Sequence, residues 1–157
     1  MDSNDFYKLL KTSFPFIPTL KQNIGLQQLS NFIFSTVANE LFVLKGYAGT
    51  GKTTIIGVLV KNLWNAQKTA VLLAPTGRAA KVISNYSKSE AFTIHKKIYA
   101  PRPEKNGKMT FVLSPNKHKK TLFIVDEASM ISDISNQAKL FGNGSLLDDL
   151  IQYVYSG

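Results

Sequence analysis

The sequence predicts an α/β domain built around a mainly parallel sheet. Three short, continuously apolar segments indicate buried strands, at 40–45, 69–74 and 121–125. Helical segments separate them, and this alternation is typical of parallel sheets with helices on both faces. The carboxyl ends of parallel strands meet at one edge of a sheet, where ligands bind. We therefore expect the residues that follow the three strands to converge on one edge.

Length and composition restrict the class of protein. The chain has 157 residues, of which 44% are hydrophobic and 18% are charged, as is typical of one globular domain. Cysteine is absent, which excludes disulfides, thiolate catalysis and thiolate metal sites. No apolar run approaches the roughly 20 residues that span a bilayer, and the polar N-terminus is unlike a secretory signal. We expect a cytoplasmic protein without a membrane partner.

The positive charge is concentrated in one part of the chain. Between Arg78 and Lys120 there are eleven Lys and Arg residues and two acidic residues, an excess equal to the whole net charge of +9. The rest of the chain is balanced. A clustered basic segment predicts a polyanionic partner, and the alternative is a solvated basic face.

A glycine-rich segment follows the first predicted strand and matches the pattern G-x-x-x-x-G-K-[ST] in full. With the residue after it, the segment comprises Gly46, Tyr47, Ala48, Gly49, Thr50, Gly51, Lys52, Thr53 and Thr54. Glycines allow backbone N–H groups to wrap a phosphate at the N-terminal end of the helix predicted over 54–63. Lys52 can reach the outer phosphates, and the Thr53 hydroxyl can ligate Mg²⁺. The alternative is a chance Gly-rich turn before a helix.

Further helices and a hairpin are predicted along the rest of the chain. Residues 1–18 suggest an irregular or partly helical arm, and apolar residues at helical spacing, Ile24 among them, predict a helix over 19–37. Short helical segments are predicted at 77–83 and around 91–98, and a capping box that begins at Ser145 predicts a final helix. Asn106-Gly107, between extended runs at 102–105 and 108–113, indicates a β-hairpin.

Two carboxylates, Asp126 and Glu127, directly follow the third predicted strand. Mg²⁺ takes one or two protein oxygens beside phosphate and water, so Asp126 is placed to hold the hydrated ion. Glu127 is placed to orient or deprotonate an attacking water. The alternative is a pair of solvent-exposed carboxylates at a strand end.

Four motifs in order along the chain carry a family resemblance, which covers about 19–130. They are Gly46-Tyr47-Ala48-Gly49-Thr50-Gly51-Lys52-Thr53, Ala74-Pro75-Thr76-Gly77-Arg78-Ala79-Ala80, Thr93-Ile94-His95 and Asp126-Glu127-Ala128-Ser129-Met130. They resemble motifs I, Ia, Ib and II of the superfamily 1 DNA helicases, in the RecD/Dda-like, 5′-to-3′ branch. The resemblance implies a three-layer RecA-like P-loop NTPase domain, the first motor domain, which binds ATP and Mg²⁺ and contacts single-stranded DNA.

The resemblance also implies roles for particular residues. A glutamine upstream of the phosphate loop would read the adenine edge; Gln22 matches best, with Gln27 and Gln28 as rivals. DNA contacts would come from Pro75, Thr76, Gly77, Arg78, Thr93 and His95. The alternatives are an exposed helix-start glutamine, a solvent-facing arginine and a buried histidine. Lys52 and Glu127 would be the catalytic residues, and Thr53 and Asp126 the magnesium ligands.

The sequence departs from the family pattern after motif II, because the chain stops at Gly157. We expect 1–157 to be an N-terminal ATP-binding domain, with 1–18 as an arm, 99–120 as a small hairpin insertion and the second motor domain absent. Such a fragment would bind ATP and hydrolyse it slowly if at all. A helicase-like subunit of an exodeoxyribonuclease is included in this interpretation. The competing interpretations are a P-loop nucleoside or small-molecule kinase and a non-catalytic, nucleotide-dependent DNA-binding module.

Overall fold

The computed structural model describes residues 1–104, 107–132 and 140–157. The chain divides into two compact units. The first contains Met1–Ala70 and Tyr86–Lys88, and the second contains Val71–Asn85 and the described part of Ser89–Gly157. No helix among the described residues has the length and apolar character that a membrane span requires.

The described residues form six α-helices and five strands. The helices are α1 Ser3–Thr12, α2 Leu20–Ile33, α3 Lys52–Asn62, α4 Gly77–Ser87, α5 Ile94–Ile98 and α6 Leu146–Tyr155. The strands are β1 Thr69–Ala74, β2 Ala91–Thr93, β3 Tyr99–Pro103, β4 Met109–Leu113 and β5 Thr121–Val125. Short 3-10 helices lie at Leu63–Ala66, after α3, and at Ala128–Met130, after β5.

A three-stranded sheet with the order β2-β1-β5 confirms the predicted α/β class with a parallel sheet. β1 and β2 run parallel, and their last residues, Ala74 and Thr93, are partners in the register. On the other side of β1, the Asp126 backbone N–H donates to the Leu73 carbonyl at 3.0 Å. The residues that follow β1, β2 and β5 therefore lie at one edge of this sheet.

In the first unit, α1 packs against α2. Phe6 and Leu10 of α1 and Leu26 and Ile33 of α2 are fully or almost fully buried, so the predicted arm is a helix with its own apolar face. Ile24 was expected on the apolar face of this second helix, but it is 49% exposed. The helix also ends at Ile33 rather than Val37.

The predicted strand at 40–45 is wrong, since the structure forms no strand there. Leu41 and Val43 are 71% and 60% exposed, while Phe42 is half-buried and packs against Phe32 with ring centroids 5.4 Å apart. A continuous apolar run becomes a central strand only where neighbouring strands pair with its backbone and helices cover both faces. No strand of the described residues pairs with 40–45.

The second unit contains the hairpin and most of the sheet. β3 and β4 pair antiparallel, from Tyr99 opposite Leu113 to Pro103 opposite Met109, which confirms the predicted hairpin. Asn106 of the predicted turn lies outside the described residues. The segment 91–98 was expected to be helical, but its first three residues are β2, because they pair with β1 before α5 begins.

Candidate functional site

The phosphate loop adopts a backbone that only glycine enters easily. Gly49 and Gly51 have φ angles of +77° and +86°, in the left-handed region. At Gly46 a Cβ would lie 2.7 Å from the Thr50 hydroxyl oxygen. That hydroxyl donates to the Tyr47 carbonyl at 2.8 Å and closes the loop on itself. Residues 46–50 are exposed to solvent, and Tyr47 is 90% exposed.

The start of α3 differs from the starts of the other α-helices in the described residues. Five helices begin beside a side-chain oxygen that accepts a first-turn N–H; these oxygens belong to Asp2, Thr19, Thr76, Thr93 and Ser145. The residue that precedes α3 is Gly51, which supplies no side-chain cap. The N–H groups of a helix's first turn have no partner within the helix, and together with the helix dipole they attract anions. The start of α3 is therefore suited to a phosphate group.

Lys52 is the first residue of α3, and its ammonium group is held over the loop. Its Nζ donates to the carbonyls of Gly46 and Tyr47, at 2.6 and 2.9 Å. An ammonium has three donors, so these bonds leave one for an anionic ligand. Thr53 and Thr54 follow in the first turn and are half-buried. Lys52 thus combines a structural contact to the loop with a charge beside the helix start.

Gln22 contacts the phosphate loop directly. Its Nε2 donates to the Thr50 carbonyl at 3.1 Å. The rival glutamines have no such contact: Gln27 donates to Asn31 on α2 at 3.4 Å, and Gln28 is exposed on the same helix. Gln22 also closes a capping box with Thr19, a residue that the sequence analysis did not single out although T-x-x-Q is a known helix-start pattern.

Asp126 and Glu127 follow β5 in a constrained turn. Asp126 is half-buried, and its Oδ1 accepts the Glu127 backbone N–H at 2.9 Å. Glu127 is exposed and has a φ of +53°, which is uncommon for a residue with a side chain. Unusual backbone conformations of this kind concentrate at functional sites. The turn leaves the Glu127 carboxylate in solvent at the carboxyl edge of the sheet.

The segment after β1 lies at the same edge. The Thr76 hydroxyl accepts the Ala79 N–H at 3.2 Å, so it caps α4. Pro75 is half-buried, whereas Gly77 and Arg78 are exposed. Arg78 therefore presents its guanidinium to solvent beside the edge that also carries Asp126.

The segment after β2 is more enclosed than expected for a ligand contact. The Thr93 hydroxyl accepts the Lys96 N–H at 3.2 Å and caps α5. His95 packs against the rings of Phe141 and Tyr99, with centroids 5.2 and 5.8 Å away. Burial lowers the pKa of His95 below its ordinary value, so the imidazole is neutral near pH 7.

A buried carboxylate beneath these rings was missed by the sequence analysis. Asp149 is fully buried, and its Oδ2 accepts the Tyr99 hydroxyl at 2.6 Å and the Asn143 backbone N–H at 3.1 Å. Burial raises the pKa of Tyr99, and the hydrogen bond to Asp149 raises it further. A Cβ at Gly142 would overlap with Asp149 Oδ2. In the sequence Asp149 resembles an ordinary acidic residue in a first helical turn, and only the folded structure shows its partners.

The predicted site residues fall in both units. The phosphate loop and Gln22 belong to the first unit, whereas Pro75–Arg78, Thr93, His95, Asp126 and Glu127 belong to the second. In the described part of the chain, no group of three or more His, Asp or Glu side chains is arranged to hold a metal ion. The magnesium assigned to phosphate-loop proteins needs fewer protein ligands than this, because phosphate and water supply the others.

One family model and two curated proteins match parts of this chain. A family model described as "AAA domain" matches residues 28–142. An uncharacterized protein of Methanocaldococcus jannaschii is 31% identical over 145 residues, which covers 85% of this chain and 12% of that protein. The ATP-dependent DNA helicase dda of Enterobacteria phage T4 is 38% identical over 90 residues, which covers 55% of this chain and 20% of the helicase.

The chain thus spans about an eighth and a fifth of the lengths of these two relatives. No solved structure matches the chain. The family match covers well over half of the sequence and includes the phosphate loop, the carboxylate pair and the segments between them. The chain therefore belongs to the AAA domain family and is a helicase-like P-loop NTPase domain.

Proposed function

We propose that this chain is the first motor domain of an ATP-dependent DNA helicase of the RecD/Dda-like branch, or of a helicase-like exodeoxyribonuclease subunit. One observation carries the nucleotide part of this proposal: α3 begins at a left-handed glycine without a side-chain cap. Each of the other α-helices of the described residues closes its first turn with its own side chain. The similarity to the phage helicase supports the DNA part.

Different groups of the loop would contact different parts of a bound nucleoside triphosphate. The backbone N–H groups of 46–54 bind phosphate oxygens, and the left-handed glycines allow those groups to point inward. Lys52 supplies positive charge to the outer phosphates, and by charge neutralisation it also favours the transfer of the γ-phosphoryl group. Gln22, which contacts the loop, contributes donor and acceptor groups for the adenine edge.

The donor types present fit magnesium. Thr53 offers a hydroxyl and Asp126 a carboxylate oxygen, which are the hard ligands that Mg²⁺ prefers. When bound, the ion would neutralise charge on the β- and γ-phosphates. Glu127, exposed at its turn, orients a water molecule and accepts its proton.

The DNA contacts would use different chemistry along the edge of the sheet. Arg78 is exposed and offers a bidentate contact to a backbone phosphate. Pro75, Thr76 and Gly77 shape the same turn, with the Thr76 hydroxyl engaged in the α4 cap. His95 is neutral and held between rings, so it and Thr93 favour shape and stacking contacts over charge.

Lys52→Ala separates the two binding activities. Fluorescent ATP with Mg²⁺ and a labelled oligothymidylate are titrated against the wild-type chain and the variant. Nucleotide binding should fall by at least about tenfold, because a charge-assisted contact of roughly 1.5–3 kcal/mol is removed. Oligothymidylate binding without nucleotide should persist and weaken steeply with salt.

Lys61→Ala is the matched control, since Lys61 is exposed in the last turn of the same helix. Undiminished nucleotide binding by Lys52→Ala would refute the phosphate site. Oligothymidylate binding that is absent, or insensitive to salt, would refute the DNA part.

A further inference from the structure

Gln22 joins two structural elements through its side-chain amide. Its Oε1 accepts the Thr19 backbone N–H at 2.9 Å, and its Nε2 donates to the Thr50 carbonyl at 3.1 Å. A backbone N–H only donates and a carbonyl only accepts, so the two partners fix which way the amide points. The first turn of α2 is thereby connected to the loop that precedes α3.

The contact lies at the point where the loop enters the helix. A Cβ on Gly51 would be 2.6 Å from Gln22 Nε2, and Gly51 has a φ of +86°. The amide therefore packs against the backbone at the residue that turns the chain into α3. A side chain in this position limits how far Thr50 and Gly51 can move away from the start of α2.

We infer that Gln22 is a positioning residue that braces the phosphate loop, in addition to any contact with a base; the inference rests on the proposed nucleotide site. A primary amide has two donor hydrogens and two acceptor lone pairs, and the two internal bonds use one of each. One donor and one acceptor remain for a nucleobase edge. Base recognition and loop position are then coupled through a single side chain.

A base-free ligand distinguishes a brace from a base reader. Inorganic tripolyphosphate has the phosphates of ATP and no adenine, so a residue that only reads adenine cannot affect its binding. Gln22→Ala should weaken tripolyphosphate and ATP alike, about three- to tenfold, as expected for the loss of one hydrogen bond that preorganises the loop. Isothermal titration calorimetry on the full chain measures both affinities.

Two further variants separate the brace from the helix cap. Gln22→Glu keeps an acceptor for Thr19 but has no donor for the Thr50 carbonyl, so the brace is lost and the cap is kept. Thr19→Ala removes the hydroxyl that accepts the Gln22 N–H and leaves the Gln22 side chain intact. We expect weaker tripolyphosphate binding for Gln22→Glu and affinity within about twofold of wild type for Thr19→Ala. Gln27→Ala, which alters a contact within α2, is the matched glutamine control.

Amide hydrogen exchange without ligand tests the brace independently of the proposed function. Exchange across 46–52 should be faster in Gln22→Ala and Gln22→Glu than in wild type or Gln27→Ala, because the loop opens more easily. This measurement also removes the effect of the glutamate charge on ligand binding. If the wild-type chain bound neither ATP nor tripolyphosphate, the proposed function would fail, and the exchange rates would still decide whether Gln22 braces the loop.

The inference is overturned by one combination of results. Gln22→Ala would leave tripolyphosphate affinity and loop exchange at wild-type values, and it would lose only the preference for ATP over GTP. Gln22 would then be a base-reading residue without a role in holding the loop.

Discussion

The starts of α2 and α3 lie in the same unit and touch through Gln22, yet their first turns are completed differently. α2 begins with a reciprocal capping box, in which Thr19 and Gln22 each satisfy a backbone N–H of the other. α3 follows Gly51, which has no side-chain oxygen to accept the N–H groups of the first turn. The first arrangement stabilises a helix by itself, whereas the second leaves donors for a ligand. Of the two helix starts, that of α3 is therefore the better suited to an anion.

Gly51→Ala should give the largest effect on this comparison. An L-residue in the left-handed region costs about 1–2 kcal/mol, and the new Cβ would displace the Gln22 amide that now lies 2.6 Å from its position. We expect the free energy of unfolding to fall by about that amount and nucleotide affinity to fall at least about tenfold. Urea denaturation and nucleotide titration measure the two quantities.

Gly25→Ala is the control for this substitution. Gly25 lies within α2, and a Cβ there would meet nothing within 4 Å. It should stabilise the protein by up to about 1 kcal/mol without changing nucleotide affinity. Equal effects of the two alanines would show that Gly51 is not required for its conformation.

Removing the side-chain cap of another helix should have an intermediate effect, on stability alone. Ser145 accepts the Asp148 N–H at 3.3 Å at the start of α6, and Ser145→Ala should lower stability by about 1 kcal/mol. Nucleotide affinity should be unchanged, because this cap holds a helix and not a ligand. Ser145→Asn retains an acceptor and should restore stability. A large loss of nucleotide affinity in Ser145→Ala would contradict the distinction between helix starts with a side-chain cap and the uncapped start of α3.

Mild acid should give the smallest effect and should act on α5 but not on α3. The pKa of His95 is lowered by burial, so its stabilisation is present above the unfolded pKa of about 6.5 and is lost as the pH falls through the folded value. The chain from Gly46 to Asn62 contains no histidine. Amide exchange, corrected for its intrinsic pH dependence, should show more opening of α5 at about pH 5 than at pH 7.5.

His95→Gln should reduce this pH dependence. A remainder is expected from His118, whose pKa is lowered by burial and by the nearby Lys97 charge. Identical acid responses in His95→Gln and wild type would mean that His95 does not contribute to the stability of α5.

Local patterns succeeded where the backbone is determined by neighbouring residues. The glycines of the phosphate loop, the Ser145 cap of the final helix and the apolar runs that became β1 and β5 all predicted the observed local structure. The segment 40–45 failed although its apolar pattern is as strong, because a central strand also needs partners that are distant in sequence. β2 shows the converse: three residues became a strand only through pairing with β1.

The candidate site was predicted unevenly for the same reason. Residue types and spacing predicted the loop and the carboxylates, and the family resemblance favoured Gln22 over Gln27 and Gln28. Neither predicted that Gln22 contacts the loop. The folded structure shows that Gln22 makes this contact, because the start of α2 lies against Thr50 and Gly51. No sequence pattern indicated that Asp149 would be buried, since its carboxylate oxygens contact Tyr99 and Asn143 only after the chain has folded.

The sequence by itself determined a phosphate loop at the start of a helix, an acidic pair after a strand and a concentrated basic segment. These features depend on residues within a few positions of each other, so local geometry and charge are sufficient to specify them. The tertiary structure alone decided that α3 would start without a side-chain cap beside Gln22, that His95 would pack against aromatic rings and that 40–45 would form no strand with the described residues. Each of those outcomes depends on hydrogen bonds and packing between residues that are far apart in the chain. A local sequence pattern does not show which distant residues will come into contact.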